Sequence, residues 1–307
     1  MDEVDVQLCL LLISNSRRTF RELGAQVNLS VNAVHRRIQS LVEAGIIRKF
    51  SAHQSIYVIR GLLVLVFGKC TQVLNDSITG ELGANENTLV LLAASGNQLY
   101  VMGLLRSIHE LDSYTRFVKD TTGMMQPDVG ILFRQYLWNI PASDPLTVSP
   151  LSTDQTDLAI IRSLHYDARK ALVEVATEIG ASVQTVKRHL DRLINNSGIQ
   201  LTIDWQPNYS SEIITFLHIQ LKSQFDRDAF LTTLKQKQSP RLFLLWTFSN
   251  LPQLVIAWVW TKSMKELQDF TQELEDPTIE TITPHILFTG STFETWRDHD
   301  IYKPRKL

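Results

Sequence analysis

RTFRELGAQVNLSVNAVHRRIQSLVEAGII, residues Arg18 to Ile47, decides how this chain is read. Its apolar positions Phe20, Leu23 and Val27 recur at helical spacing and stop at Asn28. A second set, Val34, Ile38 and Leu41, follows Ser30 at the i, i+4, i+7 spacing of one helix face. Ser30 suits an N-cap, because its hydroxyl can accept from the free N–H groups of the first turn. Gly45 suits the left-handed residue that closes a helix. The spacing predicts two short helices meeting at a tight turn, a helix-turn-helix.

Between the core positions of the second helix lie Asn32, His35, Arg36 and Gln39, with Arg37 beside them. These side chains can donate to and accept from base edges or pair with phosphates. The same residues also suit an ordinary solvated helix face, so spacing alone leaves both readings open.

Reading outward, the pattern returns. DVQLCLLLISNSRRTFRELGAQVNLSVNAVHRRIQSL beside DLAIIRSLHYDARKALVEVATEIGASVQTVKRHLDRL matches Asp5 with Asp157, Arg17 with Arg169, Glu22 with Glu174, Ser30 with Ser182, Val34 with Val186 and Arg36 with Arg188. Like residues at one constant offset, with the same apolar period, read as a tandem duplication. In the second copy Gln184, Lys187, Arg188 and Arg192 fall on the polar side of the reading helix.

After Gly45, the β-prone runs Ile46 to Phe50 and Ile56 to Val58 predict a two-stranded wing carrying Arg48 and Lys49; Ile199 to Trp205 repeats it without the basic residues. Each half then predicts strand, helix, strand, strand, helix, strand. In the first these are 62–67, 71–82, 88–94, 99–105, 108–121 and 128–133; in the second, 213–221, 228–235, 242–248, 254–260, 264–275 and 281–288. That order is a ferredoxin-like (βαββαβ) sandwich, giving an α+β fold class with two winged helix-turn-helix domains, each followed by a sandwich. NIPASDPLTVSPLST, 139–153, has the Pro, Ser and Thr content of a linker. The expected domains are therefore 1–60 and 154–208 for the heads, 61–138 and 209–307 for the sandwiches.

The 307 residues suffice for several cores, and 44% hydrophobic with 20% charged residues is the composition of a globular protein. The net charge of −2 neither selects nor excludes nucleic acid, because its distribution over domains matters more. Cys9 and Cys70 sit among apolar neighbours with no CxxC spacing, as buried free thiols do. Apolar runs such as Leu62 to Phe67 are far short of a membrane span, so a cytoplasmic protein without membrane contact is expected. Metal-ligand spacing, a phosphate loop and a nucleophile elbow are absent from the sequence, so neither enzymatic activity nor a cofactor is expected.

A winged helix-turn-helix opening with Asp2, Asp5 and the Leu8–Leu12 helix, followed by a ferredoxin-like domain, resembles the leucine-responsive regulatory protein/asparagine-synthase regulator (Lrp/AsnC) family. SNSRRTFRELGAQVNLSVNAVHRRIQSLVEAGIIRKF carries the likeness most strongly. The resemblance implies a transcription regulator that binds double-stranded DNA, with subunits joined through the sheets as a homodimer or higher oligomer and an amino acid or similar effector bound at their interface. A tandem chain then resembles a dimer fused into one polypeptide. The family's effector loop reads Thr or Ser, Gly, two residues, Asp. Here Ser95, Gly96 and Asn97 keep its start, but Leu99 replaces the carboxylate, and Ser249 to Leu254 keeps neither glycine nor acid. A modified site for an apolar ligand and a plain hairpin turn at Gly96 both remain open.

Met1 to Arg60 holds eight basic against five acidic residues, whereas Leu151 to Asn208 holds six against seven. Phosphate neutralisation supplies most non-specific affinity, so the first head is expected to dominate DNA binding, with Asp191 and Asp204 weakening the second. Unequal heads suit an asymmetric site. Asn32, His35 and Arg36 are the expected base contacts, and Arg37, Arg48 and Lys49 the phosphate contacts.

Two rival classes have distinct requirements. Sirohaem decarboxylases share this architecture, sometimes as a fused pair, and need histidine and basic residues around a tetrapyrrole. His53, His109, His218, His285 and His299 form no cluster in sequence. A protein-interaction module without DNA binding would draw on Trp246, Phe248, Trp258 and Trp260, but alternating aromatics on strands more often make a core or subunit interface. The tail after Phe288, with Trp296 and Tyr302, is expected to cover that face or cross to a partner.

Overall fold

The computed structural model describes residues 1–137, 151–206, 209, 212–223, 226–237, 241–274 and 276–302. The expected linker lies largely outside these residues. The first head is α1 (Glu3–Ser14), α2 (Phe20–Val27), α3 (Val31–Glu43), β1 (Ile47–Gln54) and a short α4 (Ile56–Ile59). The first sandwich follows as β2 (Leu62–Lys69), α5 (Asp76–Ala84), β3 (Thr88–Ala94), β4 (Gln98–Leu105), α6 (Leu111–Thr122) and β5 (Asp128–Leu137). The second head has α7 (Gln155–Leu164), α8 (Leu172–Ile179), α9 (Val183–Asn195) and β6 (Ile199–Trp205). The second sandwich has β7 (Ile213–Leu221), α10 (Arg227–Lys237), β8 (Leu242–Phe248), β9 (Leu254–Thr261), α11 (Met264–Glu273) and β10 (Ile279–Thr292), before a final α12 (Trp296–Asp300). The two sandwiches pack as one compact unit, and the two heads with α12 as another.

Helix ends explain the turn of the first head. Thr19 caps α2 by accepting from the N–H of Glu22, whose carboxylate accepts in return from the N–H of Thr19. Asn28 ends α2 in the left-handed conformation, at φ 54°. Gly24 faces the turn so closely that a Cβ there would meet the carbonyl oxygen of Leu29 at 2.5 Å. Gly45, at φ 73°, closes α3 as expected, with the N–H of Ile46 donating to the Leu41 carbonyl. Leu23, Val34, Ile38 and Leu41 are buried, so both predicted stripes face a core.

The wing departs from expectation. The predicted second run at Ile56 is helix α4, because Ser55 accepts from the N–H of Tyr57 and starts a turn. β1 finds its partner in the other head: it pairs antiparallel with β6, Phe50 opposite Ile203 and Gln54 opposite Ile199. One two-stranded ribbon therefore serves both heads. Ala52 of β1 joins the second head's core of Ile161, Leu164, Val175, Val186 and Leu190.

The sandwich strands fall close to their expected positions. α5 begins later than expected, at Asp76, because Asn75 accepts from the N–H of Ile78 and caps it there. Each sheet has the ferredoxin-like order, β3-β4-β2-β5 and β7-β9-β8 with β10 beside β7. Contacts β5–β8 and β10–β3 join them into a closed eight-stranded barrel. The helices cover the outer faces over two cores, one around Val66, Leu82, Val101 and Val118, the other around Leu217, Leu245, Val259 and Phe270. The inner faces meet inside the barrel. Trp246 and Trp258 lie 4.9 Å apart there, and Phe216 lies 4.3 Å from Trp258. The alternating aromatics are thus buried by the partner sheet of the same chain. The tail does not cover them: Trp296 is buried within the unit of the heads.

Cys9 and Cys70 are buried free thiols, and burial pushes both upward in pKa. Among the described residues no helix is long and apolar enough to cross a membrane.

Candidate nucleic-acid interface

On α3, Asn32, His35, Arg36 and Gln39 are exposed. The His35 ring stands edge-on to Phe20 at 5.1 Å, and Gln39 donates to Glu43 at 3.1 Å. Ser30 performs its capping role, accepting from the N–H of Ala33 at 3.2 Å. In the second head Gln184, Lys187 and Arg188 are likewise exposed on α9, which Ser182 caps through the N–H of Thr185.

Arg37 and Arg192 take a different place from the open reading face. Arg37 donates to Asp2 at 2.9 Å and to Asp5 at 2.8 Å, tying α3 to the start of α1. Asp2 and Asp5 form the capping box of α1, so the same carboxylates close a helix and hold the reading helix. In the second head, Arg192 and His189 both donate to Asp157, His189 at 2.8 Å. Burial alone would raise the Asp157 carboxyl, but hydrogen bonds from Arg192, the Asp154 backbone and His189 outweigh it. They hold Asp157 below the usual carboxylate range.

Arg48 and Lys49 lie on the shared ribbon. Arg48 is exposed, with its Nε 3.9 Å from the nearly buried Asp204. Lys49 sits over the ring of Tyr166 at 5.6 Å. Asp204, expected to repel phosphate from the second head, therefore acts beside the first head's arginine.

Arg17 and Arg169, a matched pair of the repeat, join the heads. Arg17 donates to the carbonyls of Ala168 at 2.6 Å and Lys170 at 2.9 Å; Arg169 donates to those of Ser16 at 2.9 Å and Arg18 at 3.1 Å. Each arginine reaches the other head's turn, and Arg169 also stacks on Phe20 and Phe50 at 4.9 and 4.7 Å. Their equal offset was the available signal, since an exchange between two copies makes like residues face like backbone.

In the barrel, Ser95, Gly96 and Asn97 form the turn between β3 and β4. Gly96 has φ 74°, and the Ser95 hydroxyl accepts from the N–H of Ile286 at 3.0 Å. A cavity of about 480 Å³ lies at the corresponding turn of the second sandwich, lined by Asn250, Gln253, Phe67, His218, Thr283 and Asp128 among others. Sequence reading found no carboxylate in either turn. Asp128 brings one from the start of β5, and burial raises its pKa. The histidines also gather where sequence separation hid them. The rings of His218 and His285 are 4.6 Å apart, and the Tyr100 hydroxyl is 2.8 Å from Nε2 of His218. Burial, then His285, lowers His218 to about 3, so it is neutral. The indole nitrogens of Trp246, Trp258 and Trp260 are buried and have no hydrogen-bond partner among the described residues.

Residues 1–42 match the model of the AsnC-type helix-turn-helix domain, and 153–196 that of a winged helix-turn-helix DNA-binding domain. The chain is 47% identical over 51 residues to an uncharacterized HTH-type transcriptional regulator of Pyrococcus horikoshii, covering 17% of this chain and 34% of the relative. It is 36% identical over 52 residues to the HTH-type transcriptional regulator Ptr1 of Methanocaldococcus jannaschii, covering 17% and 35%. The chain thus spans about a third of the length of these curated relatives. Its fold is similar to that of the siroheme decarboxylase NirDL, solved in co-complex with an iron-uroporphyrin III analogue. The TM-score is 0.57 at 12% identity, over 95% of this chain and 94% of that one.

Proposed function

We propose that this chain belongs to the Lrp/AsnC family and is a sequence-specific DNA-binding transcription regulator in which one polypeptide supplies two unequal reading heads. The presentation of α3 carries this reading: Asn32, His35, Arg36 and Gln39 are exposed on a helix whose back is buried and whose flank is fixed by Arg37 on Asp2 and Asp5. Asn32, His35 and Arg36 read base edges, Arg48 and Lys49 meet phosphates, and Gln184, Lys187 and Arg188 make the weaker second contact. Arg37 and Arg192 act mainly by positioning the helices. The barrel holds a small effector, with Ser95, Gly96 and Asn97 on one turn and the Asp128 cavity at the other, and paired chains associate through the sandwiches.

Selection of bound fragments from a random DNA pool, followed by affinity measurements at several salt concentrations, tests this. Arg36→Ala is expected to weaken binding by about 1–3 kcal/mol and relax preference at one base position, with Arg188→Ala producing a smaller loss. An unselective pool from the intact chain, or no DNA binding at low salt, overturns the reading.

A second reading draws on the barrel. The group of Tyr100, His218 and His285, with three indole N–H donors of the same barrel that have no partner among the described residues, suits an anionic tetrapyrrole as substrate. Titration with iron-uroporphyrin separates the two: a saturable Soret shift lost in His218→Ala favours this second reading.

A further inference from the structure

We propose that the unit of the heads carries a metal site, in which His53, His165 and Asp298 hold a divalent transition-metal cation such as Zn²⁺, with Glu294 or water completing the shell. Three separate elements bring these residues together: His53 lies on β1, His165 directly follows α7, and Asp298 belongs to α12. Their candidate ligand atoms all fall within 4.8 Å of one another. The donor set of two imidazoles and a carboxylate is one that zinc accepts.

His165 supplies the independent sign. Its Nδ1 lies 2.9 Å from the Ala52 carbonyl, which has no proton to give, so in the neutral ring Nδ1–H donates and Nε2 carries the lone pair. That Nε2 is buried without a hydrogen-bond partner among the described residues, on a residue only 1% exposed. A histidine with one nitrogen oriented by a backbone carbonyl and the other bare is prepared as a metal ligand. The Glu294 carboxylate stands 3.7 Å from that nitrogen.

His53 requires one adjustment. Its Nδ1 is 2.6 Å from Asp298 and its Nε2 is 3.1 Å from the Ser51 hydroxyl. When a cation enters, the ring proton moves to Nε2 and donates to Ser51, leaving Nδ1 and the Asp298 oxygen as ligands with no net proton released. The 2.6 Å contact then opens to roughly 3.3 Å, the edge of a tetrahedron with bonds of about 2.0 Å. Burial, then the nearby Arg297, lowers His53 to about 4, so the ring is already neutral near pH 7. Arg297 is the opposing charge, its Nε 3.6 Å from Asp298, but its Nη1 is engaged by Gln200. Asp298 and Glu294 together outnumber it, so the cluster is net negative before a cation arrives. Among the described residues the other convergence of this kind, Asp154, Asp157 and His189, already holds the Arg192 guanidinium.

The metal would tie the inter-head ribbon, the second head and the C-terminal helix together, independently of any DNA contact. The test uses the full chain, stripped with chelator and titrated with Co²⁺ and then Zn²⁺. Saturation at one Co²⁺ per chain is expected, with the visible bands of tetrahedral coordination, their loss on adding Zn²⁺, and a higher melting temperature with either metal. His165→Gln and His53→Gln should each abolish the bands while the metal-free far-UV spectrum stays unchanged. Glu294→Gln should weaken binding at least severalfold if it ligates, and His299→Gln, on the exposed side of α12, should leave it intact. If His165→Gln does not fold, His53→Gln decides alone. Failure of the intact chain to take up either metal, or equal Co²⁺ bands in the folded His165→Gln and His53→Gln variants, overturns the site.

Discussion

In the first head, α1 is tied to the reading helix by Arg37 reaching Asp2 and Asp5; in the second, the corresponding Asp154 and Asp157 hold His189 and Arg192. His189 stands at the position of Arg37, 152 residues on, whereas Arg192 stands at that of Ser40. The second head has therefore moved its clamping arginine one turn along the helix, and it exposes Asp191 where the first exposes Gln39. The scaffold contact is kept by different residues while the outward face gains a negative charge at one position. Diverged copies can conserve how a helix is held and still alter what it reads.

The largest expected effect concerns what the heads share. Arg169→Ala removes two hydrogen bonds to backbone carbonyls and the packing on Phe20 and Phe50, at about 2–4 kcal/mol. Arg17→Ala removes two hydrogen bonds to backbone carbonyls, at about 1–3 kcal/mol. Denaturant melts of both variants measure the exchange; no loss in either would break the idea that these arginines join the heads.

The clamps come next. Asp157 is fully buried, while the Asp5 side chain is 14% exposed. Because the partner Arg192 can turn to water, Asp157→Asn should cost about 2–3 kcal/mol, short of a fully buried pair, and Asp5→Asn about 1 kcal/mol. Asp157 is held below the usual carboxylate range in the fold. A depressed carboxylate contributes stability that is full above its unfolded pKa of about 4 and lost as pH falls through its folded value. Melting temperature should therefore drop below about pH 4, with a shallower fall in Asp157→Asn. An identical pH profile in that variant would remove Asp157 from the acid response.

These contacts also mark where sequence reading reaches and where it stops. Val34, Ile38 and Leu41, or the alternation that buried Trp246 and Trp258, are legible because periodicity is a local property that burial must satisfy. The partner of β1 is not, because a strand specifies a hydrogen-bonding edge without naming what fills it, and β6 lies some 150 residues away in the chain. Separation along the chain likewise hid Asp128 in the cavity, His218 beside His285, and His53 beside His165. Arg37 reads as a phosphate ligand and Arg192 as part of the second reading face because composition cannot distinguish an open guanidinium from one already paired with Asp5 or Asp157.

The finest contrast lies at the helix ends. Gly45 closes α3 at φ 73°, whereas Ser197, its counterpart 152 residues on, closes α9 at φ 52° with a side chain that disfavours that conformation. Ser197→Gly should relieve strain of about 1 kcal/mol but give some back through the freer unfolded chain, for a net gain of about 0.5 kcal/mol. At the start of α8, Ala171 offers no hydroxyl where Thr19 caps α2, although the Glu174 carboxylate still accepts from its N–H. Ala171→Thr should supply the missing acceptor and add about 0.5–1 kcal/mol. The two changes act on different helices and share no cap partner, so their gains should sum in the double variant. Urea midpoints at constant slope measure them. The reverse change, Gly45→Ser, should lower the midpoint by an amount similar to the Ser197→Gly gain. A raised midpoint in Gly45→Ser would mean that the left-handed turn imposes no common demand on the two heads.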